Sequence, residues 1–214
     1  IDRGEMPADL SSQMPKIRQV LESMEIPILE CPGFEADDVL ATLAARLAAQ
    51  GSQVLVVSGD RDLLQLAGVA VVVLFVGQRG KAPTRYDRAR VFERFGVEPE
   101  QLPLYVALVG DTSDNIPKVK GIGPKTASAL LRGCTGATEL LGRLDQVPPK
   151  LRSVLSEHAD QIQQSEALAR LRRDVPLDDR LPAPFDAAAR ARTAQLFERW
   201  EFKSLQARLE ALKA

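Results

Sequence analysis

Gly110-Asp111-Thr112-Ser113-Asp114-Asn115-Ile116-Pro117-Lys118-Val119-Lys120-Gly121-Ile122-Gly123-Pro124-Lys125-Thr126 sets two carboxylates, Asp111 and Asp114, ahead of a glycine hairpin that opens a basic helix. Gly121 and Gly123 carry no Cβ, so the backbone there can take positive φ and approach a ligand closely. Pro124 suits the first turn of a helix, where its missing N–H is not needed. The free N–H groups of that turn and the helix dipole attract an anion, and Lys125 and Thr126 add a charge and a hydroxyl. Ala127, Leu130 and Leu131 follow as an apolar stripe at helical spacing, and Arg132-Gly133 ends it. Packed helical domains also use Gly-x-Gly corners, but Val119 before it and Pro-Lys-Thr-Ala after it favour phosphate. Contacts of this kind position a nucleic acid without reading its sequence.

Two further acidic groups lie upstream. Glu35-Ala36-Asp37-Asp38 follows the turn Cys31-Pro32-Gly33-Phe34. Val39, Leu40, Leu43, Ala44 and Leu47 then predict a helix over 35–50, with Glu35 and Asp38 on one face of its first turn. Asp60 and Asp62 follow Val54-Leu55-Val56-Val57, a short apolar run that reads as a buried strand. Open α/β sheets place their ligands at that end of a strand. Each pair alone is compatible with helix capping. Three pairs, each at the mouth of an element, point to a shared cation. Oxygen-only ligands suit Mg²⁺ or Mn²⁺. Two such ions about 3.5–4 Å apart can clamp the attacking and leaving oxygens of a phosphodiester.

Outward from these motifs, residues 8–24 predict one amphipathic helix through Leu10, Met14, Ile17, Val20, Leu21 and Met24. Ile26 to Glu30 reads as a short strand. With helix 35–50 and strand 53–58 it predicts a right-handed β-α-β crossover. Val69 to Val76 is a second β-branched strand, and Gly77 to Thr84 is a basic loop. Beyond Asp87 the pattern is nearly all helical. Val91, Phe92 and Phe95 form one apolar face, and Leu102 to Val109 leads into the acidic loop. Short helices are expected at 138–144 and 149–155, a polar one at 157–173, an extended stretch at 174–189 and a last helix at 190–211. This predicts an α/β part over residues 1–84 and a helical part over 85–214.

The formal net charge is −1, so any nucleic-acid binding must come from local patches such as Lys118, Lys120, Lys125 and Arg132. Cys31 and Cys134 show no metal-ligand spacing and read as reduced thiols. His158 is the only histidine, which disfavours His-based acid–base chemistry. No apolar run approaches the ~20 residues of a membrane span.

These motifs resemble the flap endonuclease family of 5′-nucleases, which supplies the 5′-nuclease domain of bacterial DNA polymerase I. The matching segments are Pro32 to Asp38, Ser58-Gly59-Asp60-Arg61-Asp62-Leu63-Leu64-Gln65-Leu66, Gly110 to Thr126, and Arg199-Trp200-Glu201-Phe202-Lys203-Ser204-Leu205. The resemblance implies an α/β, PIN/resolvase-like parallel sheet portion without its first strands. An all-helical domain with a helix-hairpin-helix (helix-3-turn-helix) motif at about 105–133 then follows. It implies Glu35, Asp37, Asp38, Asp60, Asp62, Asp111 and Asp114 as metal ligands, direct or through water. Lys118, Lys120, Gly121, Ile122, Gly123, Lys125 and Thr126 become the DNA grip.

The implied cofactors are two Mg²⁺ or Mn²⁺ ions, with K⁺ on backbone carbonyls of the hairpin. The implied substrate is double-stranded DNA with a 5′ flap or 5′ end, cut by a monomeric bacterial cytoplasmic, nucleoid-associated enzyme with polymerase domains in cis. Residues 5–24 would be the trailing part of a helical arch over the 5′ strand. Upstream family motifs, a strand ending in Asp, a Phe-Asp and basic residues, are not in this sequence. Lys118 stands where the family usually has Gly. The resemblance therefore leaves a second expectation, a structure-selective DNA-binding module without turnover.

Overall fold

A computed structural model describes residues 6–77, 80, 82–178 and 185–212. Its helices are α1 (Ala8–Ser11), α2 (Met14–Ser23), α3 (Ala36–Ala49), α4 (Arg88–Phe95), α5 (Leu102–Val109), α6 (Pro124–Leu130), α7 (Ala137–Gly142), α8 (Pro149–Glu157), α9 (Ala159–Ala169), α10 (Ala187–Arg199) and α11 (Lys203–Ala211). The strands are β1 (Val54–Ser58), β2 (Val71–Phe75) and β3 (Thr84–Tyr86). Two compact units result, one built from Cys31–Val175 and the other combining Asp2–Glu30 with Pro176–Ala214. The first unit holds residues on both sides of position 84.

Within the first unit the sheet order is β1-β2-β3. β1 and β2 are parallel, with Leu55 opposite Val72 and Val57 opposite Leu74, while β3 is antiparallel to β2. The β-branched runs at 54–57 and 71–73 suit a pleated, packed surface. Val56, Val71 and Val73 face the core, whereas Leu55 and Val57 point the other way and are 54% and 56% exposed. β3 was not expected; it closes the predicted basic loop, of which residues 78, 79 and 81 lie outside the described residues. The sheet is therefore mixed, not purely parallel.

The predicted strand at Ile26–Glu30 does not form, so the β-α-β crossover through α3 is absent. Pro27 has no N–H to donate to a ladder, and the segment has no strand partner among the described residues. Instead β1 reaches β2 through a single 3₁₀ turn, Asp62–Leu66. Leu63 and Leu64 of that turn are buried with Leu104 and Leu108 of α5, Leu131 after α6, Leu155 of α8 and Ile162 of α9. One core thus backs both the strand ends and the helical segment. Phe92, expected inside, is exposed, because α4 turns Val91 inward.

In the second unit the predicted helix over 8–24 is broken after Ser11. Pro15 sits near the start of α2, where a proline restarts a helix but cannot continue one. Leu10, Met14 and Ile17 are exposed, not buried as their spacing suggested. α2 packs on α10, and α10 on α11. Buried Thr193 of α10 holds the pair, its Oγ1 3.0 Å from the Ser23 carbonyl oxygen. The predicted last helix is two helices, parted where Glu201 takes φ 55°. Asp186 caps α10 by accepting the Ala189 N–H at 2.7 Å.

Candidate functional site

The first unit brings the acidic motifs to three adjacent element ends. Glu35 occupies the N-cap of α3 in an extended conformation but makes no capping bond, which leaves its carboxylate open. Asp37 and Asp38 stand in the first helical turn. Asp38 Oδ1 accepts the backbone N–H of Arg172 at 2.9 Å. The Arg172 guanidinium lies 4.8 Å from the Phe34 ring centroid and bonds Asp174. Beyond β1, Ser58 Oγ accepts the Asp60 N–H at 3.0 Å, and Asp60 Oδ1 accepts the Asp62 N–H at 3.0 Å. Asp111 Oδ1 accepts the Ser113 N–H at 2.7 Å. These are the local turn bonds that Asp prefers. No side chain of the first two acidic motifs makes the helix-capping bond that was the alternative to clustering; those of Asp60 and Asp111 close turns instead.

The electrostatics show what the motifs share. Burial pushes the Asp37 carboxyl up, and the charges of Asp60, Glu35, Asp38 and Asp114 add to it. Burial also raises Asp62, to about 7, helped by the charges of Asp114, Asp60 and Asp111 and by a hydrogen bond to the Asp114 side chain. All seven predicted carboxylates thus enter one field of mutual repulsion, and every main influence on Asp37 and Asp62 disfavours their charged forms. Among the described residues, no group of three or more His, Cys, Asp or Glu side chains closes around a point that would hold a metal ion. An oxygen-only, mutually repelling donor set still fits a hard cation in chemical character.

The acidic loop is held at both ends. Asp111 and Ile116 exchange backbone bonds of 3.0 and 2.7 Å, and the Val119 N–H donates to the Leu108 carbonyl at 3.0 Å. Gly110 joins α5 to this loop with φ 81° and ψ 157°, a conformation reserved for glycine. A Cβ at Gly110 would lie 2.8 Å from the Lys118 backbone nitrogen. Gly110→Ala is accordingly expected to destabilise the protein by about 1–3 kcal/mol from backbone strain alone. Thermal unfolding checks this, and an unchanged midpoint would refute the close approach.

The hairpin follows directly. Gly121 takes φ 88°, as expected, but Gly123 is extended at φ −107° and serves as the N-cap of α6. A Cβ at either position would meet nothing within 4 Å, so both backbones border open space. Val119 and Ile122 are buried beneath, which leaves only the backbone of Ile122 for a ligand. Lys118, Lys120 and Lys125 are exposed, and Thr126 is half-buried. None of the three lysines pairs with a carboxylate among the described residues.

Three side chains near the carboxylates escaped the sequence reading. Ser58 and Ser113 shape the two turns, and Gln65 lies buried behind Asp62. Gln65 carried a signal, a lone amide inside the apolar run Leu63-Leu64-Gln65-Leu66. Cys31 is half-buried and Cys134 buried, and the two form no disulfide.

Carboxylates at the start of α3, beyond β1 and after α5 thus lie in one unit with a glycine hairpin between α5 and α6. Models of the 5′-3′ exonuclease N-terminal resolvase-like domain and of the 5′-3′ exonuclease C-terminal SAM fold match residues 1–96 and 97–190. The chain belongs to the 5′-3′ exonuclease family. It is 37% identical over 211 residues to DNA polymerase I of Bacillus caldotenax, covering 98% of this chain and 24% of that protein. It is 37% identical over 218 residues to DNA polymerase I of Mycobacterium leprae, covering 100% of this chain and 24% of the relative. It therefore spans about a quarter of the length of these curated relatives. The fold resembles bacteriophage T5 5′-exonuclease solved with zinc, at a TM-score of 0.62 and 22% identity over 92% of this chain and 72% of that one. A T5 flap endonuclease with DNA and metal ions matches at a TM-score of 0.62 and 21% identity, over 94% of this chain and 73% of that one.

Proposed function

We propose that this chain is the divalent-metal-dependent 5′ to 3′ exonuclease and 5′-flap endonuclease part of a bacterial DNA polymerase I. The observation that carries the reading is the shared field of seven carboxylates, in which burial, and then the charges of Asp114 and Asp60, push the Asp62 carboxyl up to about 7. Glu35, Asp37, Asp38, Asp60, Asp62, Asp111 and Asp114 would hold two Mg²⁺ or Mn²⁺ ions. Divalent ions at such a site supply Lewis acidity and an activated water. The chain's own part is to orient: the turn bonds of Asp60 and Asp111 set the carboxylate directions, and the hairpin grips the duplex. Lys118, Lys120, Lys125, Thr126 and the backbone at Gly121, Ile122 and Gly123 would meet phosphates, with K⁺ bound at the hairpin carbonyls. The substrate would be double-stranded DNA with a 5′ end or flap, in primer removal and repair. The enzyme would act as a monomer at the nucleoid in the bacterial cytoplasm, with polymerase domains in cis.

The relatives support this reading: solved neighbours carry metal ions or DNA, and the curated ones are DNA polymerases. The lack of a closed three-carboxylate set among the described residues favours a second reading, a DNA-binding module without turnover. Incubation of 5′-labelled flap DNA with Mg²⁺ or with EDTA decides between them. Metal-dependent cutting near the junction is expected. Binding without cutting would leave the second reading. In either case Lys120→Ala with Lys125→Ala should weaken DNA binding alike for all sequences. It should also lower the slope of log affinity against log salt by about two, roughly one per phosphate contact. An unchanged slope would remove the hairpin from the DNA grip.

A further inference from the structure

We infer that Gln65 is a positioning residue, the side chain through which the segment after α9 sets the placement of the Asp60–Asp62 turn; the inference rests on the metal reading proposed above. Gln65 is 5% exposed. Its Nε2 donates to the Ala169 carbonyl at 3.0 Å, and its Oε1 accepts the Leu171 N–H at 3.1 Å. The planar amide thus engages alternate backbone groups, as a neighbouring strand residue would. A buried polar side chain satisfied at both ends specifies one arrangement, because any shift leaves an unpaired donor or acceptor.

The same segment reaches the other two acidic motifs. Asp38 Oδ1 accepts the Arg172 N–H at 2.9 Å, and Thr42 Oγ1 of α3 accepts the Val175 N–H at 3.1 Å. Gln161 of α9 donates to the Pro117 carbonyl at 3.0 Å, inside the loop of Asp111 and Asp114. α9 also packs along α5, the helix that leads into that loop. One stretch, Gln161–Val175, therefore bonds elements bearing all three carboxylate pairs. Gln65 is its link to the middle pair. Four residues separate Gln65 from Asp60 along the chain, so a displaced 3₁₀ turn moves Asp60 and Asp62 directly.

The test uses the whole chain and Mn²⁺ as the probe. Gln65→Met keeps similar bulk and removes both bonds. Two readouts are taken below the unfolding midpoint: Mn²⁺ affinity by calorimetry, and amide hydrogen exchange at Asp62–Leu66 and Leu171. We expect Mn²⁺ affinity to fall at least about tenfold, the usual effect of losing a group that orients metal ligands. Exchange at those amides should quicken, while DNA affinity in EDTA, set by the hairpin, holds. A role confined to stability would lower the midpoint and leave Mn²⁺ affinity of the folded protein alone.

Gln65→Glu is the second variant, should the Met variant not fold. It can still accept the Leu171 N–H but cannot donate to Ala169 when ionised. Its extra negative charge alone would tighten Mn²⁺, so weaker binding isolates positioning. A folded Gln65 variant with wild-type Mn²⁺ affinity overturns the inference. A wild-type chain that binds no Mn²⁺ overturns the metal reading and the inference with it.

Discussion

Asp62→Asn should make the metal-free protein more stable at pH 8 and deprive it of divalent ions. The carboxyl of Asp62 is raised from 3.8 to about 7, chiefly by burial and then by the charge of Asp114. An acid with a raised folded pKa favours the folded state in its protonated form. That contribution is fully present below pH 3.8, where the unfolded chain is also protonated. It is lost as pH rises toward 7, because the unfolded chain releases its proton first. In EDTA the wild-type midpoint should therefore fall between pH 5 and pH 8. In the Asn variant this component of the fall should vanish, since its side-chain amide stays neutral and can donate to Asp114. Divalent ions should reverse the wild-type trend by replacing the proton. With Asp62 gone, Mn²⁺ affinity should drop by about a hundredfold or more, beyond the usual effect of altering a supporting residue. Thermal scans at both pH values and one titration test all three points. A wild-type protein that gains stability from pH 5 to pH 8 without metal, and a variant that does not, would contradict the repulsion described.

Leu108→Ala should produce the largest loss of stability. Leu108 is fully buried in α5, and its carbonyl anchors the loop through Val119. Truncating a buried leucine removes transfer energy and leaves a cavity, together about 2–5 kcal/mol. For a chain of this size each kcal/mol moves the midpoint by about 2–4 °C, so a fall of roughly 5–20 °C is expected. Because Gly110 and Asp111 lie two and three residues further on, part of the divalent-ion response should weaken too. A loss below about 1 kcal/mol would mean that the core around α5 closes over the cavity without strain.

Much of the site was legible because its signals are local. Asp60 and Asp62 follow an apolar run, Asp37 and Asp38 open a periodic one, and Gly121 marks a positive φ; each needs only a few neighbours to be read. β1 and β2 were likewise visible in their β-branched runs. What failed depended on distant partners. Ile26–Glu30 has the composition of a strand, but a strand exists only where another supplies its bonds. Phe92 shares the period of Val91 and Phe95, yet burial is decided by what packs on α4, which no spacing reveals. The break at Glu201 lies in a helical pattern without Pro or Gly to announce it. Gln65 and Arg172 stand more than a hundred residues apart, and their roles exist only in the folded chain.

The open side of β1 bears on how this polypeptide behaves in a tube. Leu55 and Val57 face outward on a strand that has a partner on one side only among the described residues. An unpaired strand edge beside exposed apolar side chains is a template onto which other chains can add, and a net charge of −1 offers little repulsion to keep them apart. Leu55 and Val57 therefore add to the tendency of the protein to associate at high concentration. A lysine at either place is the economical route to a concentrated, monodisperse sample.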